Sequence, residues 1–300
     1  MIKMIDLEIA EKAIEKQKRK IEIINKVASK YKYEINRKSK PSKCYICGKE
    51  CSSFCNSHSI PKFCLKNISK TGKVYQSLFA KPIPLFGAED SVSNAGTFHI
   101  ICNECDQRFF VDYENPQNYE KTILSDKMMA QIVAKDSLLM ISKRLKEMEL
   151  YKLTTERYGS NETLEIKLKV DELDYKEDVN NLKRAMIATK GNHNFYNCFY
   201  YKKLDYVVPY AIQNGIALSC DLNGNVINNT FNYSTDYKIQ DLYMIIFPLK
   251  SSSIIALFID SKAKRYREFI KQFNKLDEMD KLSVINYTAF AYSENLFISI

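Results

Sequence analysis

The stretch "CYICGKECSSFCNSHSIPKF" (Cys44–Phe63) decides how the chain is read. It packs a C-x-x-C pair, two further cysteines and one of only 3 histidines into one short segment. Downstream, "ICNECDQRFF" (101–110) supplies a second pair, Cys102 and Cys105. Thiolates in two such pairs suit zinc, which favours sulfur and takes four ligands tetrahedrally. Each pair spans one edge of the tetrahedron through a tight turn. Gly48, directly after Cys47, supports such a turn because glycine enters the left-handed region without strain. The spacing therefore predicts one zinc on Cys44, Cys47, Cys102 and Cys105. Competing sets that draw on Cys51, Cys55 or His58 stay open at this point.

Composition sets the frame for that site. With 300 residues, 45% apolar and 27% charged, the chain reads as a globular protein able to build one large or two ordinary domains. The longest apolar candidate, "LYMIIFPLKSSSIIALFI", is broken by Pro248, Lys250 and serines, which argues against a membrane span. The charged N-terminus lacks the pattern of a signal peptide, so a cytoplasmic location is expected. In that compartment the 9 cysteines point to metal rather than disulfides. A net charge of +9 suits a polyanionic partner such as DNA or RNA.

Three segments follow from pattern. Residues 5 to about 34 read as a basic amphipathic helix with an apolar stripe through Ile14, Ile21, Ile24, Ala28 and Tyr31; its "KQKRK" (16–20) is a solvated face or a phosphate contact. "NRKSKPSK" (36–43) is a connector that ends it. After the cysteine-rich region, Asn115-Pro116 marks a turn, and helical periodicity runs through Met128, Ile132, Leu139 and Leu145. Further on, Asn223-Gly224 predicts a hairpin over 215–231, 241–260 reads as two buried strands, and Ser261 is the expected cap of a C-terminal helix before the apolar "LFISI". The cluster Tyr196, Phe199, Tyr200 and Tyr201 reads as core. The expected fold class is α+β, with boundaries at 1–40 (helix), 41–120 (zinc-binding module) and 121–300 (a larger α+β domain).

The order Cys-x-x-Cys, His-x-Ile-Pro-Lys, Cys-x-x-Cys-Asp, then an aromatic and "YE", resembles the HNH-type (ββα-metal) endonucleases, in the subgroup whose active site is framed by zinc knuckles. Uncharacterised bacterial proteins carry a similar pattern. The likeness covers roughly residues 44–115, and the tail segments "IIFPLKSSS" and "INYTAFAYSENLFIS" are similar to the ends of such proteins. The resemblance implies a treble-clef/ββα-metal module and metal-dependent hydrolysis of phosphodiesters in DNA, in a setting of defence against foreign DNA. His58 would be the general base, and Asp106 would hold a catalytic magnesium or manganese ion. Asn94, or Asn103, would stand for the family's middle asparagine, and Glu114 or Asp112 would complete the metal site. The position before the histidine, often an acid in the family, is Ser57.

The plainer readings are that His58 is a buried structural residue or a zinc ligand, and that the module binds nucleic acid or protein without catalysis. His99 reads as structural or phosphate-facing, and His193 as a loop residue. Nucleic acid, chiefly DNA, is the expected partner. A protein partner or a second copy would dock through the C-terminal domain, and no membrane is expected.

Overall fold

The computed structural model describes residues 19, 20, 22, 26–76, 89–120, 123–191 and 194–300. Helix α1 is described over 26–38 and stops just before Pro41, as the connector predicts. The stripe positions Ile14, Ile21 and Ile24, residues 16–18 of the basic run, and His193 lie outside the described residues.

The fold is mixed α+β. Short elements build the cysteine-rich part: β1 (Ser57–His58), α2 (Lys62–Ile68), β2 (Lys73–Gln76), β3 (Glu89–Ser91), β4 (Thr97–Phe98) and α3 (Asn103–Phe109). Then come two long helices, α4 (Asp126–Tyr158) and α5 (Glu162–Ala188), and the strands β5 (Tyr196–Leu204), β6 (Tyr210–Ile216), β7 (Leu242–Pro248) and β8 (Ser253–Asp260). The chain closes with α6 (Arg267–Lys275), α7 (Glu278–Tyr292) and β9 (Leu296–Ser299). Seven strands form one antiparallel sheet in the order β3-β2-β9-β6-β7-β8-β5, while β1 and β4 pair as a separate ribbon.

Strand β7 explains the layering. Its residues are buried without alternation, which requires cover on both faces. Tyr243, Ile245 and Phe247 pack with α2, α4 and the cysteine-rich segment. Leu242, Met244 and Ile246 pack with Tyr266, Phe269, Phe273 and Ile285 of the C-terminal helices. The stretch expected as a module over 41–120 thus shares the sheet with the stretch over 121–300, because β2 pairs with β9. Ser59 donates to Asn295 Oδ1 at 2.8 Å, and Asn295 Nδ2 donates to the Gln213 carbonyl at 2.7 Å. Gly96 completes this junction. It has φ 64°, and a Cβ there would meet Phe297 Cζ at 2.4 Å, so only glycine fits.

Several expectations are corrected. Ser261 does not cap a helix: Asp260 takes the Lys262 amide at 2.8 Å, folds the chain into a turn, and α6 starts only at Arg267. Asp277 caps α7 instead, accepting from the Asp280 amide at 2.9 Å. The predicted hairpin over 215–231 reduces to a turn closed by one bridge, Cys220 to Val226. Asp221 captures the amides of Asn223 and Asn225 there, each at 2.9 Å, so the turn is built locally and β6 pairs elsewhere. The apolar "LFISI" enters the sheet as β9, between β2 and β6.

Helix α4 buries polar side chains as well as apolar ones. Asp136 accepts from the Gly215 amide of β6 at 3.0 Å, and burial pushes its carboxyl up to about 7. A carboxyl raised in the folded state holds a proton that the unfolded chain has already lost. Its contribution to stability is therefore present below pH ~4 and declines as pH rises towards 7. Asp136→Asn is expected to remove this decline, worth at most about 4 kcal/mol. Urea unfolding at steps from pH 4 to 7 checks it: parallel profiles for wild type and variant would contradict the assignment.

Candidate metal centre and the adjoining histidine–lysine site

Residues Cys44 to Glu50 form a knuckle. Lys43 bridges Glu50, the Gly48 amide donates to the Cys44 carbonyl at 2.8 Å, and Gly48 adopts φ 70°. The second pair sits at the start of α3, where Cys102 is the N-cap and Cys105 lies in the first turn. The Sγ atoms of Cys44, Cys47, Cys102 and Cys105 all lie within 4.8 Å of one another, with Cys47 and Cys102 at 3.9 Å. Zinc bonded at about 2.3 Å to four sulfurs would hold them about 3.8 Å apart. The four cysteines can therefore hold a metal ion such as zinc, and among the described residues no other His, Cys, Asp or Glu group is gathered in this way.

Electrostatics fits a cation. Burial opposes ionisation of Cys44, but the amides of Cys47, Cys102 and Ile46 outweigh it and bring the thiol down to about 7. Cys105 is driven far upward by burial and by the neighbouring sulfurs. Cys44 ionises easily and Cys105 resists, and a cation at the centre would reverse that resistance. Cys51 and Cys55 stand outside the set. They line an open cleft of about 880 Å³ beside it, together with Asn103, Arg108 and Phe109.

His58 sits on β1 opposite Thr97. Its Nε2 lies 2.9 Å from the Val92 carbonyl, which can only accept, so Nε2 carries the proton. The lone pair is then on Nδ1, to which no other described residue bonds. Burial lowers the His58 pKa, the Val92 carbonyl opposes this, and the charges of Lys62 and Lys135 add to the lowering. The ring is neutral at pH 7 and half-buried.

The neighbouring carboxylates are engaged by a residue that the sequence reading passed over. Lys135 of α4 is fully buried (0% exposed). Its ammonium lies 2.8 Å from Asp106 Oδ1, 2.9 Å from Glu114 Oε1 and 3.0 Å from Ser57 Oγ. Ser57 also donates to Asp106 Oδ1 at 2.6 Å, and the ammonium rests 3.7 Å from the centre of the Phe110 ring. Burial raises the Glu114 pKa, and Lys135 opposes the rise.

One turn earlier, Gln131 donates to the Phe109 carbonyl and to Asp112 and accepts from the Tyr113 amide, all within 2.9 Å. Asp112 also pairs with Lys127 at 2.9 Å, so it is held apart from the Lys135 group. The run "AQIVAKDSLL" held the clue, since Gln131 and Lys135 recur at helical spacing inside an otherwise apolar stretch.

The remaining candidates are scattered. Asn94 is exposed in the turn after β3, and its carbonyl takes the Thr97 hydroxyl at 2.9 Å. Asn103 opens α3 on the cleft side, and His99 is exposed just after β4. His58, Asp106 and Glu114 are not among the walls of the cleft. A magnesium ion needs several hard oxygens at about 2.0–2.1 Å. Asp106, expected to supply one, is turned onto an ammonium together with Glu114, so these residues do not fit a resident magnesium or manganese ion.

No family model, no curated protein and no solved structure matches this chain.

Purified protein is expected to carry about one zinc per chain, and Cys102→Ser to lose it and become poorly soluble. Metal analysis by plasma mass spectrometry reads both; full occupancy in the variant would refute the ligand set. Lys135→Ala should cost about 3 kcal/mol, because it leaves a cavity at a fully buried position and takes the cation from two partly exposed carboxylates. Denaturant melts of that variant measure it, and a loss under ~1 kcal/mol would contradict the geometry.

Proposed function

We propose that the chain is a zinc-organised nucleic-acid-binding module of HNH-like, treble-clef build. One surface carries this reading: exposed Lys62 and Lys66 on α2, with Lys70 just beyond it, lie at four-residue steps beside His58. None of the three has an ion pair among the described residues. Two free ammonium groups one helical turn apart, with a third just past the helix end, suit contact with successive phosphates, whose neutralisation releases condensed counterions. The net charge of +9 works in the same direction. The partner is nucleic acid, DNA before RNA, and recognition is electrostatic rather than by base edges.

The zinc's part here is structural. Held by Cys44, Cys47, Cys102 and Cys105, it would supply a cross-link between the knuckle and the start of α3. The residues of the chain do the rest. Lys62, Lys66 and Lys70 bind phosphate, and Val92 fixes the tautomer of His58.

Hydrolysis is the second reading, and the free Nδ1 of His58 favours it. A neutral imidazole with its lone pair on Nδ1 can accept a proton from an attacking water, which contributes roughly 100- to 10,000-fold in rate. The magnesium-dependent form of that reaction is not carried forward, because Lys135 takes up the carboxylates it would need.

Fluorescence anisotropy with a DNA duplex tests the main reading. Affinity should fall steeply with salt, and Lys62→Glu/Lys66→Glu/Lys70→Glu should weaken binding for all sequences alike and flatten the salt slope by roughly one unit per lysine that contacts phosphate. A flat salt response, or unchanged binding in the variant, would refute it. Plasmid incubation of wild type beside His58→Ala separates the second reading. Cleavage lost in the variant while zinc content and melting temperature hold would assign His58 as the base; no cleavage by wild type leaves a binding module.

A further inference from the structure

We infer that the ammonium of Lys135 takes the place of the divalent cation in this site, so that Asp106, Glu114 and Ser57 are closed to magnesium and manganese until that lysine is removed. The HNH-like reading enters only in naming the position, since it expects a divalent ion at Asp106, next to the acid-replacing Ser57. The geometry stands apart from that reading. An ammonium has three N–H donors and no acceptor. Lys135 meets three oxygens, at 2.8, 2.9 and 3.0 Å, from three separate stretches of chain. Its three donors are thereby used, and Phe110 seals its flank.

Charge alone does not close the site. Where the family pattern often has an acid before the histidine, this chain has Ser57, which brings no charge and donates to Asp106. One positive lysine then faces two carboxylates rather than three. Two carboxylates would balance a divalent ion and leave a lone ammonium one charge short, so what closes the set is that Lys135 already occupies an oxygen of each. Burial reinforces the choice: Lys135 arrives on the rigid helix α4, fully buried, with no water to release when it binds. A magnesium ion would have to shed strongly held water and displace a tethered cation. The arrangement also fixes what Lys135 does not do. With 0% exposure it does not touch a substrate, so it is a positioning residue acting through Ser57 and Asp106 on the strand that carries His58.

Manganese binding followed by electron paramagnetic resonance tests this on zinc-loaded full-length protein, independently of nucleic-acid binding. Wild type is expected to bind no manganese that is lost on Asp106→Asn. Lys135→Met should gain a manganese site at least roughly tenfold tighter than any in wild type, and Lys135→Met/Asp106→Asn should lose it again. A stoichiometric wild-type site that depends on Asp106 would overturn the inference, as would a folded, zinc-loaded Lys135→Met with no gain. If Lys135→Met does not fold, the wild-type comparison alone decides between these outcomes. Failure of DNA binding in the anisotropy experiment would sink the proposed function and leave this result standing.

Discussion

A single ammonium group, that of Lys135, holds three parts of the molecule in register. It ties α4 to β1 through Ser57, to α3 through Asp106, and to the loop after α3 through Glu114. Bringing a lysine into the interior is costly, and only full satisfaction of its donors makes that tolerable. Once it is in place, other choices narrow. Gln131, one turn earlier on α4, lies against the end of α3, and Asp136, one residue later, meets the β6 backbone. Three polar residues within two turns of one helix thus fix how the cysteine-rich segment sits on the sheet.

The four-cysteine cluster works at the other end of α3. It joins the first turn of that helix to the knuckle, while Lys135 grips the residue just after Cys105. Helix α3 is seven residues long and buries none of its side chains. Such a helix has little stability of its own. It is held from outside, by sulfur at its start and by an ion pair within its first turn. The position of His58 depends on both restraints, because β1 has only two residues and one partner strand.

What the sequence disclosed follows the range over which its chemistry acts. The cysteine pairs were legible because a C-x-x-C turn is a local object and Gly48 marks it. Strands β7 and β8 were legible as apolar runs around a serine-rich break. Helix α5 was not read, although Asn161 is a good cap that accepts from the Leu164 amide. Lys135 was invisible for a different reason. A lysine in a helical stretch reads as a solvated residue, and only partners 78 and 29 positions away reveal it as buried. The same distance hid the role of "LFISI", whose place in the sheet depends on β2 and β6. Asp106 and Glu114 were singled out as carboxylates, but the cation they serve lies on another helix.

The place of β9 between β2 and β6 bears on the order in which this protein is assembled. Ser59 and Asn295, which bond across that junction, are 236 positions apart. On a ribosome, the knuckle, β1 and β2 emerge early, yet the strand that β2 pairs with is made last. Until then β2 has no neighbour on that side, Gly96 has no Phe297 to meet, and Lys135 can engage its three oxygens only after α4 has been made. The cysteine cluster draws on residues 44 to 105 alone and needs none of these later partners. An ion held there could therefore be captured first during synthesis, and it would act as a placeholder that keeps the early segment in shape for the sheet that arrives afterwards.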